Sequence, residues 1–90
     1  MMLDVVFKSR FKKDLKKLKS SNRNEEDLLA VIDRLANNEP LEPKNRDHNL
    51  IGEYAGCREC HINPDWLLVY RKTETDLILV RTGSHSELFR

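Results

Sequence analysis

Residues 53–82 read EYAGCRECHINPDWLLVYRKTETDLILVRT, and this stretch decides the fold. Trp66 to Arg71 and Leu77 to Thr82 are short runs rich in apolar, β-branched and aromatic residues, the composition of strands, and about Glu53 to Ile62 precedes them as a third. Asn63-Pro64-Asp65 and Thr73-Glu74-Thr75-Asp76 separate the runs. Turn-forming residues over so few positions leave room only for tight reversals, so the three strands are predicted to form an antiparallel meander.

Upstream, Leu3 to Phe7 is rich in β-formers and reads as a first strand. Ser9 is the expected cap of a helix in which Phe11, Leu15 and Leu18 recur at i, i+4 and i+7, turning one apolar stripe inward and the lysines outward. A second helix starts at Asn24, a good N-cap. Glu25, Glu26 and Asp27 fill its positive first turn, and Leu28, Val31, Ile32 and Leu35 form its inward stripe. It should stop near Asn37-Asn38, before Pro40, and Leu41 to Gly52 reads as a loop carrying Asp47-His48. The order β-α-α-β-β-β predicts one α+β domain over residues 1–90, an antiparallel sheet with a helical pair packed on one face.

A chain of 90 residues, 39% hydrophobic and 34% charged, has the composition of a soluble globular domain. At this size only about two-thirds of the unfolded surface is buried, so stability is marginal. No apolar run approaches the roughly 20 residues that span a bilayer, and no secretory signal opens the chain. The expectation is a cytoplasmic protein with no membrane partner. Net charge is +1, yet Lys8, Arg10, Lys12, Lys13, Lys16, Lys17 and Lys19 face the single acid Asp14, a local excess that attracts polyanions.

All three histidines lie in the second half, each near carboxylates or an arginine. An unperturbed imidazole has a pKa of about 6.5 and exchanges protons readily near neutrality, which suggests acid-base chemistry. Strand alternation puts Cys57, Glu59 and His61 on one face and Arg58, Cys60 and Ile62 on the other. On the last strand Leu77, Leu79, Arg81 and Gly83 share a phase that His85 would continue. The helices cover only one face, so His61, Arg81 and His85 are expected to share the open one.

Cys57-Arg58-Glu59-Cys60-His61 matches C-x-x-C-H, the pattern of c-type haem attachment, and its first four residues match redox C-x-x-C. Haem attachment needs an axial partner and an export signal, and a redox pair works from a helix N-terminus rather than a strand. Zinc would draw on Cys57, His61, His48 and His85, but one C-x-x-C without a second pair is a weak set. The expectation is no metal and no cofactor, with Cys60 in the core, Cys57 at the surface or in a pocket, and neither in a disulfide.

Lys-Asp at 13 to 14, Asp-His at 47 to 48, Arg58, His61 with Pro-Asp-Trp at 64 to 66, and Arg-Thr-Gly-Ser-His at 81 to 85 before Leu88-Phe89 together resemble the RelE/ParE superfamily of toxin-antitoxin proteins, and within it the YafQ branch. That resemblance spans nearly the whole chain. It implies a RelE-like fold and a ribosome-dependent endoribonuclease that cuts messenger RNA in the A site without a metal, by attack of the ribose 2′-OH on the adjacent phosphorus. It carries over His48, His61, Asp65 and His85 as the catalytic set. Asp65 is assigned as base, His85 as acid, and His48 and His61 as groups that orient or stabilise the phosphate. Phe89 would position the nucleotide, Arg81 would pair with the phosphate, and Trp66 would stack on a base or fill the core. Lys12, Lys13, Lys16 and Lys17 would meet the ribosome at its 16S rRNA. A cognate antitoxin is the implied protein partner, and operator DNA would be reached only through that complex. Two alternatives stand beside this reading: a toxin of the same fold that binds another target such as DNA gyrase, and an antitoxin-binding repressor module without nuclease activity.

Overall fold

A computed structural model describes residues 2–89. Strand β1 (Asp4–Phe7) leads into helices α1 (Ser9–Leu18) and α2 (Glu25–Ala36). Strands β2 (His48–Asn49), β3 (Arg58–Asn63), β4 (Trp66–Lys72) and β5 (Asp76–Gly83) follow, and a single turn of helix, α3 (His85–Leu88), closes the chain. The sheet order is β1-β5-β4-β3-β2. The expected β3-β4-β5 meander is antiparallel, whereas β1 runs parallel to β5, because the two helices carry the chain away before it returns.

Both helices pack on one face, where Phe11, Leu18, Leu28, Ile32 and Leu35 meet Trp66, Leu68, Tyr70, Leu77 and Leu79. Burying side chains of this size contributes roughly 1.5–3 kcal/mol each before entropy is counted. Asn24 caps α2 as expected, its side chain accepting from the Glu26 amide at 2.9 Å. Ser9 does not cap α1: it is the first helical residue, and Lys8 holds the cap position without a side-chain hydrogen bond.

Three other expectations need correction. The strand expected from Glu53 begins at Arg58, because Gly52–Tyr54 forms a 3-10 turn and Gly52 and Gly56 take φ of +76° and +91°, values glycine reaches without a Cβ clash. The 41–52 loop contains β2, which pairs His48 with Glu59. The second face of the sheet is also not fully open. Leu88 of α3, with Phe89, Tyr54 and Leu50, covers Leu67 and Val69 there.

Candidate active site

Two devices decide which side chains reach the face opposite the helices. Along β5 the register slips: Leu79 pairs with Tyr70 and Arg81 with Val69, leaving Val80 as an extra residue. Paired residues share a face, so Leu79 joins Tyr70 under the helices while Arg81 joins Val69 on the opposite side. Unbroken alternation would have put Arg81 with Leu77 and Leu79 beneath the helices. The bulge is therefore what delivers Arg81 to the face that carries His61.

The second device anchors the loop before β2. Asp47 accepts three contacts of 3.2–3.4 Å from Arg58 and one of 2.5 Å from the Tyr70 hydroxyl. The Asp47 carboxylate raises the Arg58 pKa, and burial foremost raises that of the Tyr70 phenol. Buried Asn45 donates to the His61 carbonyl at 2.8 Å. Arg46 between them sits at φ +46°, a left-handed conformation that costs a non-glycine residue about 1 kcal/mol. These contacts hold His48 against β3.

At the centre lies Glu59, a buried residue not assigned a role from the sequence. Its Oε1 is 3.3 Å from His48 Nε2 and 3.8 Å from His61 Nε2. The other ring nitrogen of His48, Nδ1, lies 2.6 Å from the Arg46 carbonyl, which can only accept, so Nδ1 carries the proton. The arrangement couples two imidazoles through one carboxylate.

His61 pairs with Leu67, which pairs with Gly83, so His85 leaves the sheet two residues beyond the rung that holds His61. Strand β5 ends at Gly83, and His85 opens α3 instead of continuing the strand. Its ring lies 5.2 Å from that of Phe89, and Phe89 meets Tyr54 edge-on at 5.7 Å. Asp65 is exposed in the turn between β3 and β4, at the same end of the sheet as His61 and Gly83, its amide donating to Asn63 at 3.0 Å. Among the described residues no hydrogen bond or ion pair joins its carboxylate to a histidine.

Of the two roles expected for Trp66 the core one holds, and the expected Arg81 contact is corrected. Trp66 is fully buried and its Nε1 donates to Thr82 Oγ1 at 2.9 Å, so its ring fills core and presents no face for a base. Arg81 is buried as well, its Nε and Nη2 donating to the two carboxylate oxygens of Asp14 at 2.8 and 3.2 Å and its Nη1 to the Tyr54 hydroxyl at 3.3 Å. The Asp14 carboxylate holds the guanidinium protonated well above its ordinary range. Arg81 is thus engaged structurally and not presented to a phosphate. Asp14 also accepts from the Thr82 amide at 3.0 Å, filling the edge of β5 beyond the last residue of β1.

The lysines fall where expected: Lys12, Lys13, Lys16 and Lys17 are all exposed on α1. Cys60 is fully buried, and burial pushes its thiol up to about 12, so it remains an uncharged core residue. Cys57 is half-buried, and both cysteines are free. Glu87 closes a capping box on α3, and the Ser84 amide foremost holds its carboxyl below the usual 4.5. Its stabilising contribution is complete above the unfolded glutamate pKa and is lost as pH falls through the lower folded value. Hydrogen-exchange protection of the Glu87 and Leu88 amides, corrected for intrinsic rates, is expected to drop as pH falls below the ordinary glutamate range while β4 stays protected.

A five-stranded mixed sheet, two helices on one face and a histidine-carboxylate set on the other define a RelE-like α+β protein. Residues 3–90 match the family described as a bacterial toxin of type II toxin-antitoxin system, YafQ. The mRNA interferase toxin YafQ of Escherichia coli K12 is 34% identical over 87 residues, covering 96% of this chain and 95% of that one. The E. coli DinJ-YafQ toxin-antitoxin complex superposes with a TM-score of 0.91 at 33% identity over the full length of both chains. A metal-bound toxin from Helicobacter pylori superposes with a TM-score of 0.90 at 47% identity, over 98% of this chain and all of that one. The chain belongs to the YafQ family of type II toxin-antitoxin toxins.

Proposed function

We propose that this protein is a ribosome-dependent endoribonuclease that cleaves messenger RNA in the A site and is silenced by a cognate antitoxin. The observation that carries the reading is Glu59 Oε1 lying 3.3 and 3.8 Å from His48 and His61, on a sheet face whose end also bears Asp65 and His85. The mRNA interferase name of the E. coli relative and the DinJ partner of its solved complex support it.

In this reaction a base takes the 2′-OH proton, the 2′-oxygen bonds to phosphorus, the bond from phosphorus to the 5′-oxygen breaks, and an acid protonates that oxygen. Asp65, exposed in its turn, serves as base and His85 as acid. His48 and His61, held through Glu59, donate hydrogen bonds to the charge that builds on the phosphate. Phe89, beside His85, positions the nucleotide. Each of these steps is assigned to the protein's own groups.

Ribosome binding is assigned to the exposed lysines of α1. Reversing Lys12, Lys13, Lys16 and Lys17 to Glu is expected to weaken ribosome binding and flatten its dependence on salt. Binding that is unchanged across a salt series would remove α1 from the contact. Cleavage of messenger RNA by the antitoxin-free protein on programmed ribosomes tests the reading as a whole. A folded protein that binds gyrase and leaves RNA intact would replace it.

A further inference from the structure

The turn α3 has four residues, too few to persist alone, since a helical turn fixes several dihedral angles for each hydrogen bond it gains. Yet it carries His85 and leads directly into Phe89. Besides the packing of Leu88 on Leu67 and Val69, three polar contacts hold it, and all involve Glu87. Glu87 Oε1 accepts from the Ser84 amide at 2.6 Å while the Glu87 amide donates to Ser84 Oγ at 3.2 Å, closing the cap reciprocally. The same Oε1 lies 3.3 Å from Arg23 Nη1, on the segment between α1 and α2. A Cβ at Gly83 would meet Glu87 Oε1 at 3.1 Å and Leu88 Cδ2 at 3.4 Å, so α3 folds back closely enough over the end of β5 to favour a residue without a side chain.

We propose that Glu87 is a positioning residue for His85, fixing the α3 turn by joining its own cap to Arg23 on the segment between α1 and α2. The carboxylate touches no reacting atom; it sets where the His85 ring stands relative to Phe89. A single ion pair that water still reaches, with side chains 23% and 47% exposed, contributes little to stability, so the clamp acts on local geometry and not on the global fold. The inference rests on the ribonuclease reading only for its rate arm.

The test compares wild type with Glu87→Ala, Glu87→Gln and Arg23→Ala. NMR follows the His85 ring-proton shifts produced by the Phe89 ring, and single-turnover cleavage is measured on programmed ribosomes. For Glu87→Ala the His85 shifts should move toward unstructured values. The maximal rate should fall roughly 10- to 100-fold, as a misplacement of about 1 Å allows, with KM and melting temperature nearly unchanged. Glu87→Gln keeps an oxygen for the Ser84 amide and loses only the charge toward Arg23, so it should restore most of the ring shift and resemble Arg23→Ala. Unaltered His85 shifts in Glu87→Ala would overturn the proposal, as would a rate loss that tracks global unfolding. If the wild type does not cleave RNA, the ribonuclease reading fails and the ring shifts alone decide: displaced in Glu87→Ala they uphold the clamp, undisturbed they refute it.

Discussion

Replacing His85 with alanine is expected to slow the chemical step of messenger RNA cleavage by about 100- to 10,000-fold, the range for loss of a general acid. The same change should leave the melting temperature and ribosome affinity almost unaltered. His85 is exposed, and its ring touches Phe89 at the edge of the second apolar cluster without entering either core, so truncation opens no cavity. A large kinetic effect beside a small thermal one separates a group that works on substrate from one that supports the fold. Equal cleavage by the variant would take His85 out of the mechanism.

Asp14→Ala should do the opposite, unfolding the protein while touching no substrate. The side chains of Asp14 and Arg81 are only 8% and 10% exposed, and removing the acid strands a buried guanidinium together with the Thr82 amide. Breaking a buried pair on one side costs about 3–5 kcal/mol, a large part of the stability of a domain this small. The melting temperature should fall by at least about 10 °C. Asp14→Asn, which can still accept from Thr82, should fall between. Asp14→Leu combined with Arg81→Met should recover part of the loss, because no charge is left unpaired. A shift of only a degree or two in Asp14→Ala would mean that water reaches Arg81 and that the pair is not an anchor.

Periodicity and turn residues made the two helices and the β3-β4-β5 meander legible in the sequence, because both signals are local. The parts that were not legible depend on contacts between distant positions. Asp14 looks like the odd acid in a lysine-rich helix until Arg81 and Thr82, far along the chain, are placed against it. Trp66, which opens a strand, was legible as a core or stacking residue, and only its bond to Thr82 within the core decides between the two. The bulge at Val80 carries no glycine or other marker, and it moves Arg81 to the face opposite Leu79. Strand alternation already put Glu59 beside His61 in phase. Its link to His48 required β2, a two-residue strand too short to show a pattern.

Family membership narrows the chemistry, and the site supplies a way to check it directly: the product ends of a defined messenger RNA incubated on programmed ribosomes with the antitoxin-free protein. Internal attack by the 2′-OH with His and Asp acid-base groups should leave a 2′,3′-cyclic or 3′-phosphate on one fragment and a free 5′-OH on the other, with the cut inside the A-site codon. Fragments ending in 3′-OH and 5′-phosphate, or intact RNA with a folded protein, would contradict the account.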